Sequence, residues 1–333
     1  MLLIQYLFLA SILVFASIKA SNYIDLLDRK SKLSGALIGG VLLAATTSLP
    51  ELITSLSSIL ILEEPNPNLA FGNVLGSNLF NITIIALIDI IFIKHFFLDR
   101  VTRDANKSIL FSVVMLTIML LSFQFGLPFS LKFGIMHFSI VSIVLLVIYF
   151  LAIYYLANIS DDEIPVETDD TPVYFTIKQI LIRFSLFAII LVITSIYVTK
   201  LADEIATTYQ LGSSFAGALF LGVCTSLPEL TSSLNLVRLR NYGVAVSNCV
   251  GSNIFNLAII SFVDFLYFKE NIYIGGIREA RGNIVLIYFT LAISVVLMAS
   301  LLTNKSNSRF TYILPSLLIL VIYLAYIVIT AAL

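Results

Sequence analysis

The stretch TTSLPEL, residues 46–52, sets a proline and a glutamate side by side inside the apolar run 33–62. Proline has no amide hydrogen and its ring crowds the preceding turn, so Pro50 takes away the helical partner of the Thr46 carbonyl. The interruption returns as CTSLPEL at 224–230, where Pro228 does the same to the carbonyl of Cys224. A helix breaker beside a charge, repeated in apolar surroundings, implies two related halves.

The surroundings are a bilayer. Apolar residues make up 59% of the 333-residue chain and charged residues 12%, with a mean hydropathy of +1.03, far outside soluble norms. A spanning helix needs about twenty apolar residues. Ten candidate spans meet or approach that length: 2–18, 33–62, 68–92, 108–122, 130–157, 176–200, 213–237, 242–268, 283–302 and 310–331. The expected fold is therefore an all-α integral membrane protein. The first span reads as retained, since no positive charge precedes it and Lys19 follows it. Cys224 and Cys249 fall at membrane depth as small buried groups, with no disulfide expected.

The acidic, proline-containing segment NISDDEIPVETDDTP, 158–172, cannot continue a membrane helix and divides the spans five and five. The expected organisation is a first repeat over 1–157, an acidic linker over 158–175 and a second repeat over 176–333. Thr47 to Leu52 align with Thr225 to Leu230 at an offset of 178, as does Asp25 with Asp203. GNVLGSNLFN (72–81) aligns with SNCVGSNIFN (247–256) at 175, continuing to Asp89 with Asp264 and Lys94 with Lys269. Five is odd, so the second half enters from the opposite face, giving two inverted five-helix repeats of the secondary-transporter kind. Counting lysine and arginine in alternate loops puts fourteen on one side and five on the other. Both termini are expected outside and the linker in the cytoplasm of a multi-pass cell-membrane protein, against the vote of Arg278 and Arg281.

On a helix Thr47, Glu51 and Ser55 share one face, with Ser48 a turn from Glu51; Thr225, Ser226, Glu229 and Ser233 repeat the pattern. Asn73, Ser77 and Asn81 share a face of the next span, matched by Asn248, Ser252 and Asn256. Gly72 and Gly76, with Gly251 in the second half, suit close helix approach. The ligands are all oxygen, which hard cations such as Ca2+ and Na+ prefer. Ionisable residues at the midplane point to function. Asp89 and Asp264 near span ends read as snorkelling or paired with Lys94 and Lys269, and Asp25 and Asp203 as boundary residues.

The paired TSLPEL and GSN-x-F-N segments resemble the two alpha-repeats of the cation/calcium antiporter superfamily, and most of all its prokaryotic Na+/Ca2+ exchanger branch. The resemblance covers nearly the whole chain. It implies ten helices, with the second, third, seventh and eighth spans forming a midplane site and the first and sixth sliding against them. It assigns Glu51 and Glu229 as central ligands, with Thr47, Ser48, Ser77 and Asn81 beside Thr225, Ser226, Ser252 and Asn256. The freed carbonyls of Thr46 and Cys224 join that metal set. Thr46 and Cys224 stand where the family usually has glycine, Asn256 where archaeal exchangers often have aspartate, and Ser247 where a glycine heads the second motif.

Two ionised carboxylates balance one Ca2+, whereas two or three Na+ leave the site neutral or singly positive. Two like charges held together in a low dielectric also favour a shared proton, so H+ is a physical substitute for Na+. The expected function is Ca2+ for Na+ antiport, with H+-coupled antiport as the alternative. An intramembrane hydrolase lacks zinc-ligand histidines or a serine–base pair, with His95 and His137 apart near loops, and a channel lacks fourfold repetition. No cofactor and no nucleic-acid partner are expected; the partners are the transported ions and the lipid bilayer.

Overall fold

The computed structural model describes residues 1–31, 47–92, 98, 104–125, 130–133, 136–159, 175–238, 240, 242–277, 280–302 and 309–331. The helices are α1 (Leu2–Ser31), α2 (Leu49–Leu60), α3 (Pro67–Ile91), α4 (Asp104–Phe125), α5 (Ile140–Ile159) and α6 (Ile177–Thr208). They continue with α7 (Ser213–Thr225), α8 (Leu227–Arg238), α9 (Tyr242–Leu266), α10 (Ile272–Ile277), α11 (Ala280–Leu302) and α12 (Arg309–Ala331). Seven of the described helices are long and apolar enough to cross a membrane, or eight if α7 and α8 form one span bent by 41°. The apolar helices Leu49–Leu60 and Ile140–Leu156 are shorter. Most of the linker, including its acids, and Lys94, His95 and Arg278 lie outside the described residues.

One expected span is corrected. Residues 130–133 and 136–139 do not begin a helix but pair as β1 (Ser130–Phe133) and β2 (Met136–Ser139), antiparallel, with Lys132 opposite His137. The sequence there alternates polar and apolar residues, a period that suits a strand. Helix α5 starts only at Ile140, where Ser139 Oγ accepts the amide of Val141 at 3.2 Å in the manner of a cap. Other starts follow the same chemistry. The side chain of Asn66 accepts the Leu69 amide at 3.1 Å ahead of α3, and Thr176 with Gln179 forms a capping box on α6.

Helices α1 and α6, of 30 and 32 residues, pack on one another through Tyr6, Leu13, Val198 and Ala202, in an apolar cluster separate from the main core. The main core surrounds α3 and α9. Helix α3 is buried over most of its length and touches α2, α7, α9, α11 and α12. Its closest neighbour is α7, where a Cβ on Gly76 would stand 2.3 Å from Ala218 Cα, and one on Gly222 would stand 2.7 Å from the Ser77 amide nitrogen. Only glycine permits backbones this near. For Gly251 the stretch that the repeat sets opposite, around Gly40 and Ala44, lies outside the described residues. Helix α7 carries a π-helical turn at Gly217–Gly222, whose Phe220 carbonyl accepts the Tyr6 hydroxyl of α1.

Candidate cation site

The two prolines act by ending one helix and starting another. The backbone turns at Ser48 and Ser226, and the ladder restarts with Leu52 donating to the Ser48 carbonyl at 3.1 Å and Leu230 to the Ser226 carbonyl at 3.2 Å. Pro50 and Pro228 occupy the first turns of α2 and α8, where a missing amide hydrogen costs nothing. Glu51 and Glu229 lie in those same turns, facing the positive ends of new helix dipoles. The interruption thus creates, inside the bundle, two helix N-termini that each carry a carboxylate.

Both carboxylates are fully buried. Glu51 Oε1 accepts Ser77 Oγ at 3.5 Å from α3 and Ser226 Oγ at 3.4 Å, with Thr225 beside it. Glu229 Oε1 accepts Ser252 Oγ at 3.4 Å from α9, with the Thr47 hydroxyl as a further donor. Each acid is therefore held by a serine on the following long helix of its own half and by hydroxyls at the break of the other half. Asn73 braces the first break. Its Nδ2 donates to the Glu51 carbonyl at 3.1 Å and to the hydroxyls of Thr54 and Ser55 at 2.8 Å each, and its Oδ1 accepts Thr225 Oγ1 at 3.4 Å. Asn248 is half-buried and reaches Ser233 Oγ at 3.3 Å.

Helices α3 and α9 are joined by four amide side chains. Asn78 Nδ2 donates to the Asn253 carbonyl at 3.1 Å, and Asn253 Nδ2 returns a bond to the Asn78 carbonyl at 3.2 Å. Asn81 Nδ2 donates to Asn253 Oδ1 at 2.9 Å, and Asn256 Nδ2 to Asn78 Oδ1 at 3.1 Å. Asn81 and Asn256 donate into this cross, and among the described residues their Oδ1 atoms have no hydrogen-bond partner. The same holds for Glu51 Oε2, Glu229 Oε2 and Ser48 Oγ. Five buried acceptor oxygens in that condition are costly unless a cation or other donor takes them up. Oxygens of carboxylate, amide and hydroxyl type form a donor set for a hard cation. Among the described residues no three or more of His, Cys, Asp or Glu cluster, so such an ion would rely on the amides and hydroxyls as well as the acids.

Thr46 lies outside the described residues. The Cys224 carbonyl takes the amide of Ser226, and its thiol packs toward α1, with Sγ 4.0 Å from the Ala10 carbonyl. Both cysteines are free and buried. Asn78 and Asn253 were not singled out from the sequence, although each is the asparagine of a repeated GSN; the helical face shared by Ser77 and Asn81 drew the reading away from them. Asp203 accepts Asn66 Nδ2 at 2.8 Å. The reading of Asp89 and Asp264 as snorkelling is corrected, since both are wholly buried. Asp264 is met by hydroxyl and amide donors in place of Lys269, which is exposed.

The sodium/calcium exchanger protein family matches residues 1–158 and 180–332 of the chain. The chain belongs to that family. It is 26% identical over 261 residues to inner membrane protein YrbG of Escherichia coli (strain K12), covering 78% of this chain and 75% of the relative. It is 27% identical over 227 residues to the uncharacterized membrane protein MJ0091 of Methanocaldococcus jannaschii, covering 68% of each. The fold is similar to the crystal structure of the H+/Ca2+ exchanger CAX, with a TM-score of 0.65, 17% identity and coverage of 99% and 90% of the two chains. It is also similar to the sodium-calcium exchanger NCX_Mj soaked with Na+ and Sr2+, with a TM-score of 0.57, 21% identity and coverage of 98% and 99%. Family and fold are those of multi-pass cation antiporters.

Proposed function

We propose that the chain exchanges Ca2+ for Na+ across the cell membrane, carrying them alternately at the site between α2, α3, α8 and α9. The observation that supports this most is the pair of buried carboxylates, each held on one oxygen by hydroxyls from both halves and unpartnered on the other. One Ca2+ between Glu51 and Glu229 cancels their two charges, and the oxygens of Asn81, Asn256 and Ser48 complete its shell. Two or three Na+ at the same oxygens leave a neutral or singly positive site. The loaded forms then cross at low cost, whereas the empty site keeps two uncompensated charges.

The reciprocal bonds of Asn78 and Asn253 support two five-helix halves over 1–157 and 176–333, inverted and completing ten spans. With both termini outside, the acidic linker faces the cytoplasm. A second reading, H+ in place of Na+, is favoured by Asn256, an amide where archaeal exchangers often carry a third acid. With two acids alone, two protons neutralise the site that one Ca2+ neutralises. Purified protein in vesicles preloaded with Na+, or given a pH step without Na+, separates the two when 45Ca2+ uptake is followed. Uptake driven by Na+ release is expected; uptake driven by the pH step alone would replace Na+ by H+ in the scheme, and uptake under neither would refute calcium exchange.

A further inference from the structure

Two buried carboxylates remain that the cation site does not use. Asp89 and Asp264 are 175 positions apart, the offset that relates Ser77 to Ser252 and Asn81 to Asn256. Each lies eight positions beyond its asparagine, about two helical turns along the same helix. Both are wholly buried near the C-terminal ends of α3 and α9. That end of a helix disfavours an anion, so a carboxylate there must be compensated by donors from elsewhere.

Each receives a serine hydroxyl from the last helix of the opposite half. Asp89 accepts the hydroxyl of Tyr312, and its Oδ2 accepts Ser316 Oγ at 2.6 Å, both from α12. Asp264 Oδ2 accepts Ser142 Oγ of α5 at 2.6 Å and the amide of Ser139, which caps α5, at 2.7 Å; its Oδ1 accepts the Ile272 amide at 2.7 Å. Ser142 is the third residue of α5 and Ser316 the eighth of α12. The helix bearing Ser77 and Asn81 is thus fastened to the second half, and the helix bearing Ser252 and Asn256 to the first. Bonds to an ionised carboxylate are about twice as strong as neutral ones. The α1–α6 pair meets the rest of the bundle through apolar packing, through Tyr6 with Phe220 and Thr199 Oγ1 with the Thr54 carbonyl at 3.5 Å, and through Asp203, which accepts Asn66 Nδ2 at 2.8 Å.

We infer that Asp89 and Asp264 are positioning residues, a pair of clamps that hold α3 to α12 and α9 to α5 without separation throughout the transport cycle. The inference rests on the proposed exchange only for the word cycle. The clamps keep the site's serines and asparagines in register while other parts of the protein move.

The test uses the full-length double variants Phe80→Cys/Tyr323→Cys and Tyr149→Cys/Phe255→Cys, ring pairs whose centroids lie 6.0 and 5.8 Å apart across α3–α12 and α5–α9 and which leave both carboxylates and their serines in place, bridged by a short bifunctional thiol reagent. Single-cysteine variants control for Cys224 and Cys249. Bridging yields are expected to be equal in Ca2+, in Na+ and at lowered pH, and the bridged proteins are expected to exchange Ca2+ as fast as their unbridged forms. Yields that change with the ion, or exchange that stops on bridging, would overturn the clamps. Should the cysteine pairs not fold, Ser142→Ala and Ser316→Ala keep the carboxylates in place. Each is expected to raise half-saturating Ca2+ several-fold at nearly unchanged maximal rate, because a loosened α9 or α3 misplaces ligands. A fall in maximal rate alone would indicate a merely structural contact. Bridging yields need no transport, so failure of the wild-type protein to exchange Ca2+ would reject the proposed function and leave the clamps measured on their own.

Discussion

Replacing Gly76 by alanine strikes the point where α3 and α7 come nearest. The new Cβ would meet Ala218 Cα at 2.3 Å and the Ala218 carbonyl oxygen at 2.9 Å. Carbon atoms in ordinary contact sit about 3.5–4.0 Å apart, so the helices must separate by more than about 1 Å. Neither neighbour is the flexible end of a long side chain, and the movement must therefore come from the backbones. Overpacking of this kind costs about 1–3 kcal/mol. The next residue, Ser77, bonds Glu51 at 3.5 Å and approaches Thr225 at 3.3 Å, contacts already at the limit of hydrogen bonding. A shift of that size breaks them, so Gly76→Ala is expected to lower the unfolding temperature in detergent and to raise half-saturating Ca2+ together. If Gly76→Ala unfolds and transports like the wild type, α3 and α7 do not pack through these glycines.

Glu51→Gln and Glu229→Gln keep shape but remove one charge; at about 4 Å and an effective dielectric near 20 a unit charge pair is worth about 4 kcal/mol, twice that for Ca2+. If a third of that survives relaxation, about 100-fold of Ca2+ affinity is lost, and Na+ affinity suffers less; wild-type Ca2+ saturation in either variant would remove that acid from the site. Asn256→Asp is expected to keep exchange and add inhibition by protons, because three clustered carboxylates bind one. Conversion of an inactive wild type into an active exchanger would instead show a missing ligand. Asn78→Ala takes away the acceptor of Asn256 Nδ2 and Asn253→Ala that of Asn81 Nδ2, each leaving a buried donor unpaired at about 1–3 kcal/mol. A double-variant cycle on unfolding in detergent is expected to show strong coupling between the two, and simple additivity would contradict the reciprocal cross.

The doubled TSLPEL and GSN segments were legible because oxygen-bearing residues stand out in an apolar chain and the offset between copies is constant. The helical breaks at Ser48 and Ser226 follow from proline chemistry. Less visible was the β1–β2 hairpin, whose residues are apolar enough to pass for the start of a span; four-residue strands give too short an alternation to override that impression. The close approach at Gly76 depends on which helix lies opposite, and spacing alone carries no information on that. The same is true of Asp89 and Asp264. Their place near helix ends suggests water, but both are buried and each takes a serine hydroxyl from a helix more than a hundred residues away. The π-helical turn of α7 left no signal beyond the glycines that bound it.

Equilibrium binding of 45Ca2+ to the purified protein, with Na+ as competitor, bears most directly on a single site shared by the two halves. One Ca2+ per chain is expected, displaced by Na+ and lost alike in Glu51→Gln and in Glu229→Gln. Two independent Ca2+ sites, or one that survives in either single variant, would contradict a cation held between both carboxylates.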